Sequence, residues 1–160
     1  MELETLARAV GHELKRHGLM LATAESCTGG WAAQLVTSVA GSSEWFERGF
    51  ITYTNLAKRE MLGVKTTILS RYGAVSDQTA RAMAEGALAC SHAQVALAIT
   101  GIAGPGGGTP EKPVGTVYFA WAARQRDTQS RKQIFAGDRE AVRRQSVITA
   151  LQGLLEYLNV

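Results

Sequence analysis

Apolar residues recur every three to four positions in three stretches of the chain, a spacing typical of amphipathic helices. The first stretch spans residues 3–14, and Gly18 is placed to end that helix. Ser76 precedes the second stretch and Asp138 the third, and both residue types favour helix N-caps. The apolar positions are Leu3, Leu6, Ala7, Val10 and Leu14; Ala80, Met83, Ala84, Ala87 and Leu88; and Val147, Ile148, Leu151, Leu154, Leu155 and Leu158.

Short apolar or β-branched runs alternate with these helices and predict strands. The runs cover residues 19–24, 50–53, 94–100, 114–120 and 133–135. Further helices are predicted at 31–39 and, with Asn55 as N-cap, at 55–62, while a polar turn at 126–127 joins the last two strands as a hairpin. This alternation predicts an α/β fold: a single-domain three-layer α/β/α sandwich over residues 1–160, with a mixed, mostly parallel sheet.

Composition supports one ordered domain. The chain has 160 residues, of which 46% are hydrophobic and 19% charged, which excludes a disordered chain. No apolar run approaches the ~20 residues that span a bilayer. The acidic N-terminus does not resemble a signal peptide, and Cys27 and Cys90 are too few for a disulfide scaffold. We therefore predict a cytoplasmic protein with reduced thiols.

The net charge of +3 is mildly basic and suits a phosphorylated small molecule. The nearest approach to a basic stripe is Arg139, Arg143 and Arg144 on the last helix, which we interpret as a solvated face. A nucleic-acid-binding domain usually clusters its basic residues around a reading motif. We expect a small-molecule substrate and neither nucleic acid nor a membrane as a partner.

The histidines give no sign of a metal site or of a Ser-His-Asp triad. His12, His17 and His92 share no ligand-type spacing with one another or with the cysteines, and none falls at a strand end. We expect no metal and no other cofactor.

The turn at residues 25–30 follows a buried strand and precedes a helix. Its small residues leave backbone amides accessible, and a helix N-terminus favours negative charge, so a developing oxyanion would be stabilised there. Ser26 is then a candidate nucleophile, although it would also serve as a plain N-cap. Cys27 is a rival nucleophile, but without a histidine partner it fits better as a small buried hydrophobe.

A serine nucleophile needs a base, and Lys58 is the candidate. With Asn55 as N-cap, Lys58 is the third residue of its helix, where the positive end of the dipole and burial would lower the pKa of its amine. An ordinary surface lysine is the alternative. Tyr53, at the preceding strand end, would either hydrogen-bond into the same site or fill the core.

The glycine-rich segment 101–108 matches neither the P-loop nor the dinucleotide-binding pattern. Its small residues would let backbone amides approach an anion closely. A mobile surface loop is the alternative.

Several strings resemble the CinA C-terminal domain family in order and spacing. They are residues 23–30 (TAESCTGG), 41–46 (GSSEWF), 73–76 (GAVS), 100–105 (TGIAGP), 112–117 (KPVGTV) and 137–139 (GDR). The likeness covers nearly the whole chain. Within the family, the chain most resembles the stand-alone bacterial members that deamidate nicotinamide mononucleotide. The resemblance implies an amidohydrolase that forms nicotinic acid mononucleotide and ammonia in pyridine nucleotide (NAD) recycling, with a serine nucleophile and a lysine base.

Carried over by position, the resemblance assigns the nucleophile to Ser26 and the base to Lys58, and adds Thr100 and Arg139. The expected catalytic residues are Ser26, Lys58, Tyr53 and Thr100, and the expected substrate-binding residues are Cys27, Thr28, Gly29, Gly30, Asn55, Gly101, Gly104, Gly106 and Arg139. Trp45 and Phe46 would face the pyridinium or fill the core. We expect a homo-oligomer.

Two other functions remain open. One is a non-catalytic nucleotide-sensing or protein-interaction module, in keeping with the link between the family name, competence and DNA damage. The other is an amidase acting on a different pyridine nucleotide or small carboxamide.

Overall fold

The computed structural model describes residues 2–159. Its elements in chain order are α1 (Glu2–His17), β1 (Leu21–Glu25), α2 (Trp31–Thr37), a 3₁₀ turn (Ser42–Glu44), β2 (Phe46–Ile51), α3 (Asn55–Leu62), α4 (Thr66–Tyr72), α5 (Asp77–Ala89), β3 (Val95–Gly101), β4 (Thr116–Ala123), β5 (Arg126–Ile134) and α6 (Arg139–Leu158). Among these residues, no helix is both long and apolar enough to cross a membrane.

The five strands form one sheet in the order β2-β1-β3-β4-β5. β1 pairs in parallel with β2 and β3, whereas β4 is antiparallel to both β3 and β5. Four strands therefore run one way and only β4 is reversed, so the prediction of a mixed, mostly parallel sheet is confirmed. The carboxyl ends of β1, β2 and β3 meet at one edge, which is where ligands bind in such sheets.

Helices cover both faces of the sheet, as predicted. One apolar core lies under α1, α2 and α6, where Leu14, Trp45 and Leu151 are among the buried residues. The second lies under α3, α4 and α5 and is built largely from alanines, with Met83 as its largest fully buried side chain. Alanine-rich strands on this side let α5 pack close to the sheet.

Several local predictions hold. Gly18 follows α1 with a φ of 67°, a left-handed conformation that glycine adopts without strain. Ser76 and Asp138 cap α5 and α6 by accepting hydrogen bonds from the backbone N–H of Thr79 and Ala141. The β4–β5 hairpin is present, but its turn lies at residues 124–125, because the predicted turn residues 126–127 begin β5.

Other boundaries were wrong. Thr54, not Asn55, caps α3, because its hydroxyl accepts from the backbone N–H of Ala57. β2 begins four residues earlier than predicted and ends before Thr52, and β5 is longer than expected. α4 was not predicted, because this seven-residue helix buries only Leu69 and so lacks a clear apolar period.

Candidate active site

Ser26 and Lys58 meet where β1 and β2 end. Lys58 Nζ lies 3.0 Å from Ser26 Oγ and donates to the Thr52 carbonyl oxygen at 2.9 Å. Both side chains are buried, Lys58 to 1% exposure. Within residues 2–159, no carboxylate forms an ion pair with Lys58. Because two neutral oxygens are its hydrogen-bond partners, the amine is held without charge compensation.

Burial lowers the pKa of Lys58 from 10.5 to about 8. The direction was predicted, but the helix-dipole reason was misplaced: with Thr54 as the cap, Lys58 is the fourth helical residue and desolvation is the main cause. With this pKa, roughly a tenth of the amine is neutral at pH 7. A neutral amine has a lone pair that can accept the Ser26 hydroxyl proton.

The amino end of α2 is filled by a side chain of the protein itself. The fully buried Glu25 carboxylate accepts from Thr28 Oγ1 at 2.6 Å and from the backbone N–H groups of Ala32 and Ala33 at 2.9 and 3.0 Å. This end of the helix is therefore not free for an oxyanion, contrary to expectation. The N-cap is Gly30, so Ser26 does not cap the helix.

Two amides next to Ser26 remain free. No hydrogen bond among residues 2–159 uses the backbone N–H of Cys27 or Thr28, whereas Gly29 N–H donates to the Ser26 carbonyl oxygen at 3.0 Å. The Cys27 side chain is buried, and burial raises the pKa of its thiol to about 12. Cys27 therefore remains a neutral thiol, in agreement with its interpretation as a small buried hydrophobic residue.

Ser26 and Lys58 open into a cavity of about 260 Å³. Its walls come from the ends of β1 and β3, the segment before α3, the segment before α5 and the glycine-rich segment. The lining residues are Ser26, Cys27, Tyr53, Lys58, Ala74, Val75, Thr100, Gly101, Ile102, Ala103, Gly104, Gly106, Gly107 and Arg139. This volume lies just below the range of about 300–1,000 Å³ typical of small-molecule sites, so the cavity suits a compact ligand.

Arg139 and the glycine-rich segment are in contact in the wall of this cavity. Arg139 donates to the Gly104 carbonyl oxygen at 2.7 Å and to Tyr53 Oη at 2.8 Å. No hydrogen bond within residues 2–159 uses the backbone N–H groups of residues 103, 104 and 106–108. A guanidinium beside free amides is suited to binding a phosphate.

Not every expected site residue lines the cavity. Thr100 does, but its hydroxyl donates to the Ala74 carbonyl oxygen at 2.8 Å. Tyr53 also does and is 57% exposed, which removes the core alternative. The expected residues that lie outside the lining are Thr28, Gly29, Gly30 and Asn55.

Thr28 and Asn55 illustrate why. The Thr28 hydroxyl is directed to Glu25, and Asn55 is an exposed first residue of α3. The aromatic candidates Trp45 and Phe46 pack into the core instead of facing the cavity.

The sequence missed parts of the site. Val75 and Ala74 line the cavity although only the string 73–76 pointed to them, and the Thr52 carbonyl that binds Lys58 has no sequence signal. Arg143, assigned to a solvated face, instead contacts the turn that carries Ser26. All three histidines are exposed, and the described residues contain no group of three His, Cys, Asp or Glu side chains that would hold a metal.

A family model described as the CinA C-terminal domain matches residues 3–158. The chain therefore belongs to the CinA C-terminal domain family.

Among its relatives, the nicotinamide-nucleotide amidohydrolase PncC of Escherichia coli (strain K12) is 53% identical over 153 residues, which cover 96% of this chain and 93% of that protein. The protein of the same name from Pseudomonas putida is 51% identical over 154 residues, with 96% of each chain covered. The crystal structure of the competence/damage inducible protein CihA from Agrobacterium tumefaciens superposes with a TM-score of 0.96 at 50% identity, over 100% of this chain and 97% of that one.

Proposed function

We propose that this protein is a nicotinamide-nucleotide amidohydrolase that converts nicotinamide mononucleotide and water to nicotinic acid mononucleotide and ammonia. The observation that carries the proposal is the 3.0 Å contact between the buried Lys58 amine and Ser26 Oγ inside a cavity of suitable size. The names of relatives at 51–53% identity over nearly the whole chain support the same substrate.

In the first half of the reaction, neutral Lys58 accepts the Ser26 hydroxyl proton while Ser26 Oγ attacks the carboxamide carbon. The Lys58 amine keeps its hydrogen bond to the Thr52 carbonyl, which holds its lone pair toward Ser26. We assign the oxyanion to the Cys27 N–H, which follows the nucleophile in the chain; one such donor lowers the barrier by about 3–4 kcal/mol. The ammonium of Lys58 then protonates the leaving nitrogen, and ammonia departs.

In the second half, the same amine takes a proton from water, which attacks the ester carbon of the nicotinoyl-serine. The tetrahedral intermediate collapses with return of the proton to Ser26 Oγ. One group thus serves as base and acid in both halves, which requires a pKa near the working pH. The pKa of about 8 for Lys58 satisfies this requirement.

We assign the phosphate of the nucleotide to the part of the cavity formed by Arg139 and the free amides of residues 103, 104 and 106–108. We assign Tyr53 to contact with the substrate ring; its hydroxyl accepts a hydrogen bond from Arg139 in the free protein. Thr100 acts by fixing Ala74 in the cavity wall rather than by touching the reacting atoms. The chain would act in NAD recycling in the cytoplasm as a homo-oligomer.

The test is to incubate the EDTA-treated protein with nicotinamide mononucleotide and to measure ammonia and nicotinic acid mononucleotide. We expect both in equal amounts. Release from another carboxamide only, such as NAD or nicotinamide, would instead support a different amidase. A folded protein that binds the nucleotide and releases no ammonia would be the non-catalytic sensing module.

Replacing Arg139 with alanine tests the phosphate assignment. A charge-assisted hydrogen bond contributes about 1.5–3 kcal/mol, so KM for the mononucleotide should rise roughly 10- to 150-fold while kcat changes little. For nicotinamide riboside, which lacks the phosphate, kcat/KM should stay within about twofold of the parent value. An equal loss with both substrates would contradict the assignment.

The pH profile of kcat/KM tests Lys58 as the base. Because only the neutral amine accepts the proton, kcat/KM should rise about tenfold per pH unit below the pKa of about 8 and level off above it. The measurement is kcat/KM between pH 5.5 and 9.5 at constant ionic strength. A profile that is flat across pH 7–9, or one that falls with rising pH there, would argue against this role.

A further inference from the structure

The turn that carries the candidate nucleophile is held from two sides by charged side chains. We define the nucleophile turn as residues 26–30. On its sheet side, the buried Glu25 carboxylate binds the Thr28 hydroxyl and the start of α2. On the other side, Arg143 of α6 donates from Nε to the Cys27 carbonyl oxygen and from Nη2 to the Thr28 carbonyl oxygen, both at 3.1 Å.

The two Arg143 hydrogen bonds fix consecutive peptide planes. In a trans peptide the N–H points away from the C=O, so binding a carbonyl also sets the direction of the following N–H. Fixing the Thr28 carbonyl orients the Gly29 N–H, which donates to the Ser26 carbonyl oxygen. That bond in turn sets the direction of the Cys27 N–H, the free amide next to Ser26.

Arg143 has no carboxylate partner in the described part of the chain, so a stabilising ion pair does not account for its position. None of the ion pairs among residues 2–159 includes Arg143, and it is half-buried. Its guanidinium lies over the Trp31 ring, 5.8 Å from the centroid. Gly29 has a φ of 61°, a left-handed conformation that glycine adopts without strain, and this shapes the turn that Arg143 contacts.

We propose that Arg143 is a positioning residue that holds the nucleophile turn and thereby orients Ser26 and the Cys27 N–H. The catalytic consequence rests on the proposed function above, whereas the ordering of the turn does not. The planar guanidinium of Arg143 carries two parallel N–H donors that reach both carbonyl oxygens. The single ammonium group of a lysine lacks this geometry, so lysine would replace Arg143 only in part. Arg144, the next residue, pairs with Glu2 and serves as the matched control.

The first measurement reports on how rigidly the nucleophile turn is held, and it does not depend on enzymatic activity. In a Cys90→Ala background, the rate at which iodoacetamide labels the buried Cys27 is measured at pH 8 under native conditions. We expect Arg143→Met to raise this rate at least tenfold, Arg143→Lys to raise it less, and Arg144→Met to leave it unchanged. Equal rates in Arg143→Met and the parent would overturn the proposal, whatever the enzyme does.

The second measurement separates positioning from substrate binding. With nicotinamide mononucleotide, Arg143→Met should lower kcat about 100-fold, the size of a lost oxyanion donor, with KM within threefold and partial recovery in Arg143→Lys. An unchanged kcat in an otherwise active series would overturn the catalytic part. Failure of the parent to release ammonia would count against the proposed function instead, and the labelling result would still decide whether Arg143 orders the turn.

Discussion

Ser26→Ala is expected to lower kcat for nicotinamide mononucleotide by at least about 10⁴-fold, because it removes the atom that forms the acyl-enzyme. Binding should survive. In the free protein Ser26 Oγ accepts one side-chain hydrogen bond, from Lys58, and the proposed phosphate contacts use Arg139 and the glycine-rich segment instead of Ser26. Ammonia release and the dissociation constant of the nucleotide are the two measurements.

A matched serine controls for the loss of a buried hydroxyl. Ser146 is fully buried in α6, donates to the Val142 carbonyl oxygen at 2.7 Å and does not line the cavity. Ser146→Ala should keep kcat within about twofold of the parent. If Ser26→Ala retained a tenth or more of the parental kcat, water rather than Ser26 would be the attacking group.

Lys58→Met is expected to lower kcat at pH 8 by about 10³-fold or more, because the nucleophile loses its base and the leaving nitrogen loses its acid. Methionine fills nearly the same volume, so the cavity should keep its shape. Lys58→Arg should fail as well, because a guanidinium stays protonated and has no lone pair to accept the Ser26 proton. The measurements are kcat and its dependence on pH.

The control for Lys58 is Lys65, an exposed lysine before α4. Lys65→Met should leave kcat and the pH profile unchanged. Should Lys58→Met keep the same pH dependence as the parent with only a small loss in kcat, another group would have to be the base.

The periodic parts of the chain were predictable because local pattern determines them. The faces of α1, α5 and α6 follow from apolar spacing, and the caps Ser76 and Asp138 from side-chain chemistry. α4 was missed because a helix with one buried residue leaves no periodic trace. Thr54 and Asn55 both favour caps, and only the observed hydrogen bond distinguishes them.

The site was predictable only in part, because its contacts join distant segments. The string 25–30 and the family resemblance singled out Ser26 and Lys58, but their 3.0 Å contact spans 32 residues and depends on how β1 and β2 pair. Backbone carbonyls such as those of Thr52, Cys27 and Thr28 carry no residue-type signal at all. The roles of Glu25 and Arg143 depend on these main-chain partners, which is why they became visible only in three dimensions.

The burial of Lys58 without a compensating charge sets the stability of the folded state against activity at this edge of the sheet. A neighbouring carboxylate would satisfy the amine and strengthen the folded state, yet it would also raise its pKa and leave less of it neutral. In homologous proteins, the positions that contact Lys58 should therefore lack acidic residues even where such side chains would fit. Substitutions selected for thermal stability alone should therefore raise the pKa of Lys58 and lower the activity of this site.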